Sequence, residues 1–284
     1  MSPRDRSELT RREFLVTGAV AAGVAGYTLA AGPLRAEVVT TGTSGLVAGA
    51  VSIPVAGREI PGYRAKPAGA VKPPIVLVVQ EIFGVHEYIR DVCRRLAHEG
   101  YLAVAPDLYV RQGDVTRMSD AQAIIRDVVA KVPDAQVTGD LDATATWAEK
   151  DGGNPSKLAI TGFCWGGRIV WLYSAHSAKL RAGVAWYGRL AGDKSEMQPS
   201  YPLDVAAKLH APVLGLYGAE DAGIPLESIE RMRKEIAAAH GASRVDVFEG
   251  APHGFHADYR PSYREAAARE GCTRMLAWFK MHGA

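Results

Sequence analysis

Leu158-Ala159-Ile160-Thr161-Gly162-Phe163-Cys164-Trp165-Gly166-Gly167 decides the reading of this 284-residue chain. Residues with strand character run straight into a glycine-bounded turn, and a helical stretch from 169 to about 177 leaves it. Strand, G-x-C-x-G and helix in that order make a nucleophile elbow, whose glycines stand two residues either side of the nucleophile because the sharp turn crowds the backbone there. Cys164 occupies the nucleophile position. At a helix amino terminus it meets free N–H groups and positive potential, which favour an anionic sulfur and can hold an oxyanion. A tight turn without chemistry is the competing reading. A phosphate-cradling loop fails at this turn, because neither G-x-G-x-x-G nor G-x-x-x-x-G-K-[ST] is present.

Outward from the elbow, strand and helix alternate. Lys72-Pro73-Pro74 introduces residues 75–79, a continuous apolar run too short for a helix, as in a strand buried on both faces. Residues 88–99 have helical spacing and stop at Gly100; 101–105 read as a strand stopped by Pro106. The same reasoning predicts helices over 119–131 and 134–150, a strand over 157–161, strands over 182–186 and 213–217, a helix over 226–240, a strand over 244–248 and a closing helix from 262 to about 281. Two extended runs, 51–55 and 59–65, flank Ala56-Gly57-Arg58 and predict an opening hairpin. Such alternation implies right-handed crossovers and a mostly parallel sheet with helices on both faces, the α/β class. The rhythm never breaks, so residues 57–284 read as a single domain preceded by a linker and the start of the first strands over 37–56.

Composition agrees with a globular protein. With 48% apolar and 23% charged residues the chain is neither collagen-like, coiled-coil nor disordered. The net charge of +2 comes from the first 36 residues, where Arg4, Arg6, Arg11, Arg12 and Arg35 outnumber Asp5, Glu8 and Glu13. The neutral remainder has no basic stripe and offers no electrostatic case for nucleic acid. Thr10-Arg11-Arg12-Glu13-Phe14-Leu15-Val16, followed by a Gly/Ala-rich apolar stretch that breaks at Pro33, resembles a twin-arginine export signal. Residues 1–36 are therefore expected to direct the chain to the twin-arginine export machinery and a periplasmic or exported location. A retained membrane anchor is the alternative, and no later run is long enough to span a bilayer. Three cysteines are too few for a disulfide-built domain. Cys93 and Cys272 align with apolar helix positions and read as small core residues.

A thiol nucleophile needs a base, and the base an orienting carboxylate. In chain order the acid and then the histidine follow the nucleophile, on loops after later strands. Asp221 in Gly218-Ala219-Glu220-Asp221 is the acid candidate, with Glu220 as competitor. His253 in Gly250-Ala251-Pro252-His253-Gly254-Phe255 is the base, with His256 as the weaker choice. The remaining histidines, His86 among them, have no motif and read as ordinary surface or core residues.

Gln80-Glu81-Ile82-Phe83-Gly84, Ala105-Pro106-Asp107-Leu108-Tyr109, the Cys164 turn and His253-Gly254-Phe255 together resemble the dienelactone hydrolase family, over roughly residues 57–281. The resemblance implies an α/β-hydrolase fold and a Cys-His-Asp triad that opens an enol-lactone, or a related small-molecule ester, without metal or organic cofactor. It implies Cys164 as nucleophile, His253 as base and acid, Asp221 as its partner, Glu81 as a helper of the thiol, and the N–H groups of Ile82 and Trp165 as oxyanion hole. Glu81 follows the first buried strand at the sheet's carboxyl edge, where open α/β folds bind ligands. A salt-bridged edge glutamate is its plainer reading. Glu81→Gln is expected to lower turnover with little loss of fold.

The substrate pattern departs from the family's. Two arginines there hold a substrate carboxylate, one of them four residues after the triad histidine; here that position is Ala257. Arg260, three residues farther on, is one substitute. The other arginine is sought after Tyr109, where Arg117 and Arg126 are candidates and Arg111 matches a family-like L-Y-x-R-Q string. Phe83 is a lining residue, and a surface role is the competing reading of each arginine. A non-catalytic ligand-binding protein on the same fold is the alternative function. A redox thiol has no C-x-x-C support.

Overall fold

The apolar run after Pro73 forms β3 (Pro74–Val79), in which every residue from Ile75 to Val79 is completely buried. The computed structural model describes residues 39–284; the export signal read at 1–36 lies outside them. Before β3 come β1 (Leu46–Val55) and β2 (Arg58–Pro67), an antiparallel hairpin that starts earlier and ends later than its apolar core suggested. After β3 follow α1 (Glu87–His98), β4 (Leu102–Pro106), α2 (Ala121–Asp127), α3 (Asp134–Lys150), β5 (Asn154–Phe163) and α4 (Trp165–His176). Then come β6 (Leu180–Trp186), a short α5 (Pro202–Val205), β7 (Val213–Gly218), α6 (Leu226–Ala238), β8 (Arg244–Phe248) and α7 (Glu265–Met281).

The described strands join in one sheet of order β1-β2-β4-β3-β5-β6-β7-β8. β2 pairs antiparallel with β1 and β4, and every other neighbour is parallel. The expected α/β-hydrolase architecture is thus present. The chain leaves β3 for β4 on one side and returns to place β5 on the other, so the order reverses between β3 and β5. A crevice opens outside the carboxyl ends of strands at such a point. Glu81 follows one of these two strands and Cys164 the other.

Three helices differ from their sequence reading, and in α4 the difference is a start at Trp165, four residues before 169. The stretch 119–131 splits into α2 and a short turn of helix at Val129–Lys131, because the Asp120 side chain caps α2 by accepting from Gln122 N–H while Val128 leaves helical geometry at φ −121°, ψ −66°. Val128, Val129 and Val132 all enter the core there, so tertiary packing overrides the local spacing. α7 begins at Glu265 and not at 262, since Arg264 is extended. The short α5 has too few residues to show a period; Asp204 secures its start by accepting from Tyr201 N–H at 2.8 Å. Among the described residues no helix is long and apolar enough to cross a membrane, and no group of three or more His, Cys, Asp or Glu side chains is placed to hold a metal ion.

Candidate active site

Cys164 sits between β5 and α4 at φ 55°, ψ −114°, a left-handed conformation that costs a non-glycine residue energy and persists only where the surroundings impose it. Backbone packing imposes it. A Cβ on Gly162 would lie 2.5 Å from the Gly166 carbonyl oxygen, and one on Gly166 would lie 2.5 Å from that of Val79 and 2.6 Å from that of Gln80. The glycines therefore let α4 press directly on the end of β3. Cys164 N–H donates to the Trp186 carbonyl at 3.0 Å, tying the elbow to β6. Trp165 is the first residue of α4, so its N–H has no carbonyl within the helix. Ile82 lies in the turn bridged by Glu81 and Gly84, next to the same sheet end.

Asp221 follows β7 and His253 follows β8, and the two turns are pressed together: a Cβ on Gly218 would lie 2.1 Å from the Ala251 carbonyl oxygen. His253 Nδ1 and Asp221 Oδ2 are 2.7 Å apart, while Asp221 Oδ1 accepts from Gly223 N–H at 2.8 Å. Burial opposes charging of the imidazole, but the Asp221 carboxylate and then the Cys164 sulfur outweigh it and raise the His253 pKa to about 10. Tyr187 packs on the ring at 5.0 Å between centroids. Cys164 is 2% exposed. Neither Glu220 nor His256 joins this group. His256 lies between Tyr88 Oη at 2.6 Å and Cys272 Sγ at 3.0 Å, and burial followed by the nearby Arg95 charge holds its pKa down at about 3.

Glu81 is completely buried. Tyr259 donates its hydroxyl to Oε2; Arg260 Nη2 stands 3.6 Å from Oε1 and His86 Nε2 stands 3.6 Å from Oε2. Burial alone would raise the carboxyl pKa, but Arg260, and after it His86, lower it to about 2. Arg260 also lies over the Phe83 ring at 4.9 Å and over Tyr259 at 5.2 Å, and its charge senses Cys164. The surface reading of Arg260 is overturned: it is 2% exposed, because a buried carboxylate and two aromatic faces compensate its desolvation. The expectation that Glu81→Gln leaves the fold little affected is corrected for the same reason, since it would strand a buried guanidinium.

The other residues singled out in the sequence fall as follows. Phe83 lies beside Arg260. Arg111 is claimed by the buried Asp140 on α3 and serves as an ion pair of the fold, not as a free clamp. Cys93 is buried, Cys272 is half-buried against His256, and all three cysteines are unpaired. Sequence reasoning missed His86 and Tyr259 at this site. His86 offered one signal: it lies five residues after Glu81, in the same turn at the carboxyl end of β3. Tyr259 is joined to Glu81 across 178 residues, and nothing local marks it.

A mostly parallel sheet with a strained thiol turn after β5, an acid turn after β7 and a histidine turn after β8 defines an α/β-hydrolase. The model of the dienelactone hydrolase family matches residues 60–283. The chain belongs to that family and is a hydrolase. It is 54% identical over 259 residues to a protein of Escherichia coli (strain K12) named "Putative carboxymethylenebutenolidase", covering 91% of this chain and 96% of that one. It is 51% identical over 280 residues to the protein of that name from Methylorubrum extorquens, covering 98% and 95%. The crystal structure of "Putative Dienelactone Hydrolase" from Klebsiella pneumoniae superposes with a TM-score of 0.82 at 56% identity, covering 83% of this chain and 98% of that one.

Proposed function

We propose that the chain hydrolyses a small carboxylic ester or lactone, of the carboxymethylenebutenolidase type, through a Cys164-His253-Asp221 triad and a thioester intermediate. The observation that carries this reading is the His253 Nδ1 to Asp221 Oδ2 contact of 2.7 Å, on a ring whose pKa Cys164 also raises. An imidazole oriented this way and biased toward protonation is a strong acceptor for the thiol proton. The Cys164 sulfur then forms a bond to the substrate carbonyl carbon, and the carbonyl oxygen takes up the negative charge against the N–H groups of Ile82 and Trp165. Each such donor contributes roughly 3 kcal/mol to lowering the barrier. As the carbonyl re-forms, the C–O bond breaks and the leaving alkoxide or enolate takes the proton from His253. Water, deprotonated by His253, adds to the thioester; the C–S bond breaks, and the carboxylic acid and the thiol are restored.

Glu81 follows the strand next to the one that ends at Cys164, as a carboxylate paired with Arg260. A carboxylate near the thiol opposes thiolate formation by like-charge repulsion, and the family resemblance assigns Glu81 a part in activating the thiol. The paired arginines ahead of the apolar segment support delivery of the folded chain through the twin-arginine machinery to the periplasm, with the amino-terminal signal removed.

The test is a panel of dienelactone, aryl esters and acyl thioesters with Cys164→Ala as control. Turnover of an oxygen ester that vanishes in Cys164→Ala supports the reading; activity that survives refutes the assigned nucleophile. A wild-type protein that binds these compounds without cleaving any is a ligand-binding protein on the same fold.

A further inference from the structure

His256 takes no part in the triad, yet it is built in between the triad's two halves. It lies three residues after His253 and is buried. Its ring meets those of Trp186 at 4.4 Å and Phe163 at 5.1 Å between centroids. Phe163 immediately precedes Cys164, and Trp186 supplies the carbonyl that accepts Cys164 N–H. The residue after Trp186 is Tyr187, whose ring packs on His253. One imidazole therefore touches both segments that hold the nucleophile, while its backbone belongs to the loop that carries the base.

Packing alone does not call for an imidazole there. A phenyl ring would fill the same aromatic surroundings with no polar atom to satisfy. The nitrogens of His256 are instead fixed from two helices: Nδ1 stands 2.6 Å from Tyr88 Oη on α1, and Nε2 stands 3.0 Å from Cys272 Sγ on α7. A neutral imidazole has one N–H and one lone pair, so one of these partners donates to the ring and the other accepts from it. Both contacts are directional and fix the ring within its own plane, where face-on aromatic contacts leave it free to slide. The same loop is tied to α1 a second time, where Arg95 pairs with the buried Asp258.

We propose that His256 is a positioning residue of the triad, which sets the separation of His253 from Cys164 by holding the histidine loop, through Tyr88 and Cys272, in register with the elbow. It is not a catalytic residue, since Tyr88 and Cys272 take up both its nitrogens. The proposal rests on the hydrolytic reading above for the work of His253. The contact lengths give the size of the effect. Nδ1 lies 2.6 Å from the Tyr88 oxygen. A ring carbon in its place needs roughly 3.5 Å, so the ring of His256→Phe must draw back by about 1 Å and take the loop with it.

The experiment compares full-length wild type, His256→Phe, the double variant Tyr88→Phe with His256→Phe, and His253→Ala, each below its melting temperature. Two quantities are read: aryl-ester kcat and KM, and the rate at which iodoacetamide alkylates Cys164, with peptide masses scoring Cys93 and Cys272 apart. In His256→Phe, kcat should fall on the order of 100-fold, the cost of a misplacement of about 1 Å, while KM holds because the loss falls on the transition state. Alkylation of Cys164 should slow about tenfold, toward the rate in His253→Ala, since the sulfur reacts as thiolate and its proton acceptor has moved. Removing the Tyr88 hydroxyl lifts one of the two close contacts, so the double variant should regain part of both rates. A wild-type kcat in His256→Phe, a loss carried by KM, or a double variant no faster than the single overturns the proposal. Alkylation that depends on His253 but not on His256 overturns it as well and leaves the hydrolytic reading standing. Failure of the ester panel with alkylation still dependent on both histidines would instead remove the hydrolytic reading and leave His256 as the residue that positions His253.

Discussion

Gly166→Ala probes the elbow most directly. The added Cβ would lie 2.5 Å from the Val79 carbonyl oxygen and 2.6 Å from that of Gln80, where ordinary contact begins at 3.4 Å. Both obstacles are backbone at the end of β3, so no side chain can swing aside. The first turn of α4 must withdraw by nearly 1 Å, taking the Trp165 N–H and the Cys164 sulfur with it. Overpacking of this kind costs about 1–3 kcal/mol, against a gain of about 1 kcal/mol from replacing a helical glycine by alanine. A domain of this size loses roughly 2–4 °C in Tm per kcal/mol, so the thermal change should be only a few degrees. The kinetic change should be larger, because a 1 Å misplacement of reacting groups costs on the order of 100-fold. Calorimetry and aryl-ester kcat/KM measured on the same preparation separate the two. Gly139→Ala is the control: it lies within α3, a Cβ there meets nothing within 4 Å, and it should raise stability slightly at unchanged rate. A Gly166→Ala protein with wild-type kcat/KM and Tm would refute the close approach of α4 to β3 as the reason for the glycine.

Other outcomes follow from the buried charges. Glu81→Gln should lower both turnover and stability, the latter by about 3 kcal/mol because Arg260 is left buried without its carboxylate; Glu81→Gln combined with Arg260→Gln should recover part of the lost Tm, and a double variant no more stable than the single would deny the coupling. His253 favours its proton more in the folded chain than in the unfolded one, so its contribution is complete below pH 6.5 and disappears as pH rises toward about 10. Asp221→Asn should flatten the decline of Tm across that window, and an undiminished slope would show that another group causes it. Asp91 is buried between Arg94 Nη2 at 2.8 Å and Arg95 Nε at 2.6 Å, and Arg95 also pairs with Asp258 on the histidine loop. Asp91→Asn should therefore lower Tm by several degrees, and amide exchange over 253–260 should rise; unchanged exchange there would confine its role to α1.

What the chain alone determines is local in origin. Apolar runs bounded by proline and glycine mark β3 and β4, and the helix of 134–150 is legible to the residue because its spacing and its ends agree. The Cys164 turn is readable for the same reason, since glycines at minus two and plus two answer a steric demand of neighbouring backbone. Asp221 and His253 are legible because each follows a strand whose order in the chain assigns it a place at one sheet edge. Tertiary structure alone decided the surroundings of Glu81. Tyr259 and Arg260 reach it across more than 170 residues, His86 reaches it only because the turn after β3 folds back, and Arg111 is drawn off by Asp140. A charged side chain's role depends on which opposite charge shares its low-dielectric surroundings, and that choice is made by packing between segments that carry no mark of one another in sequence.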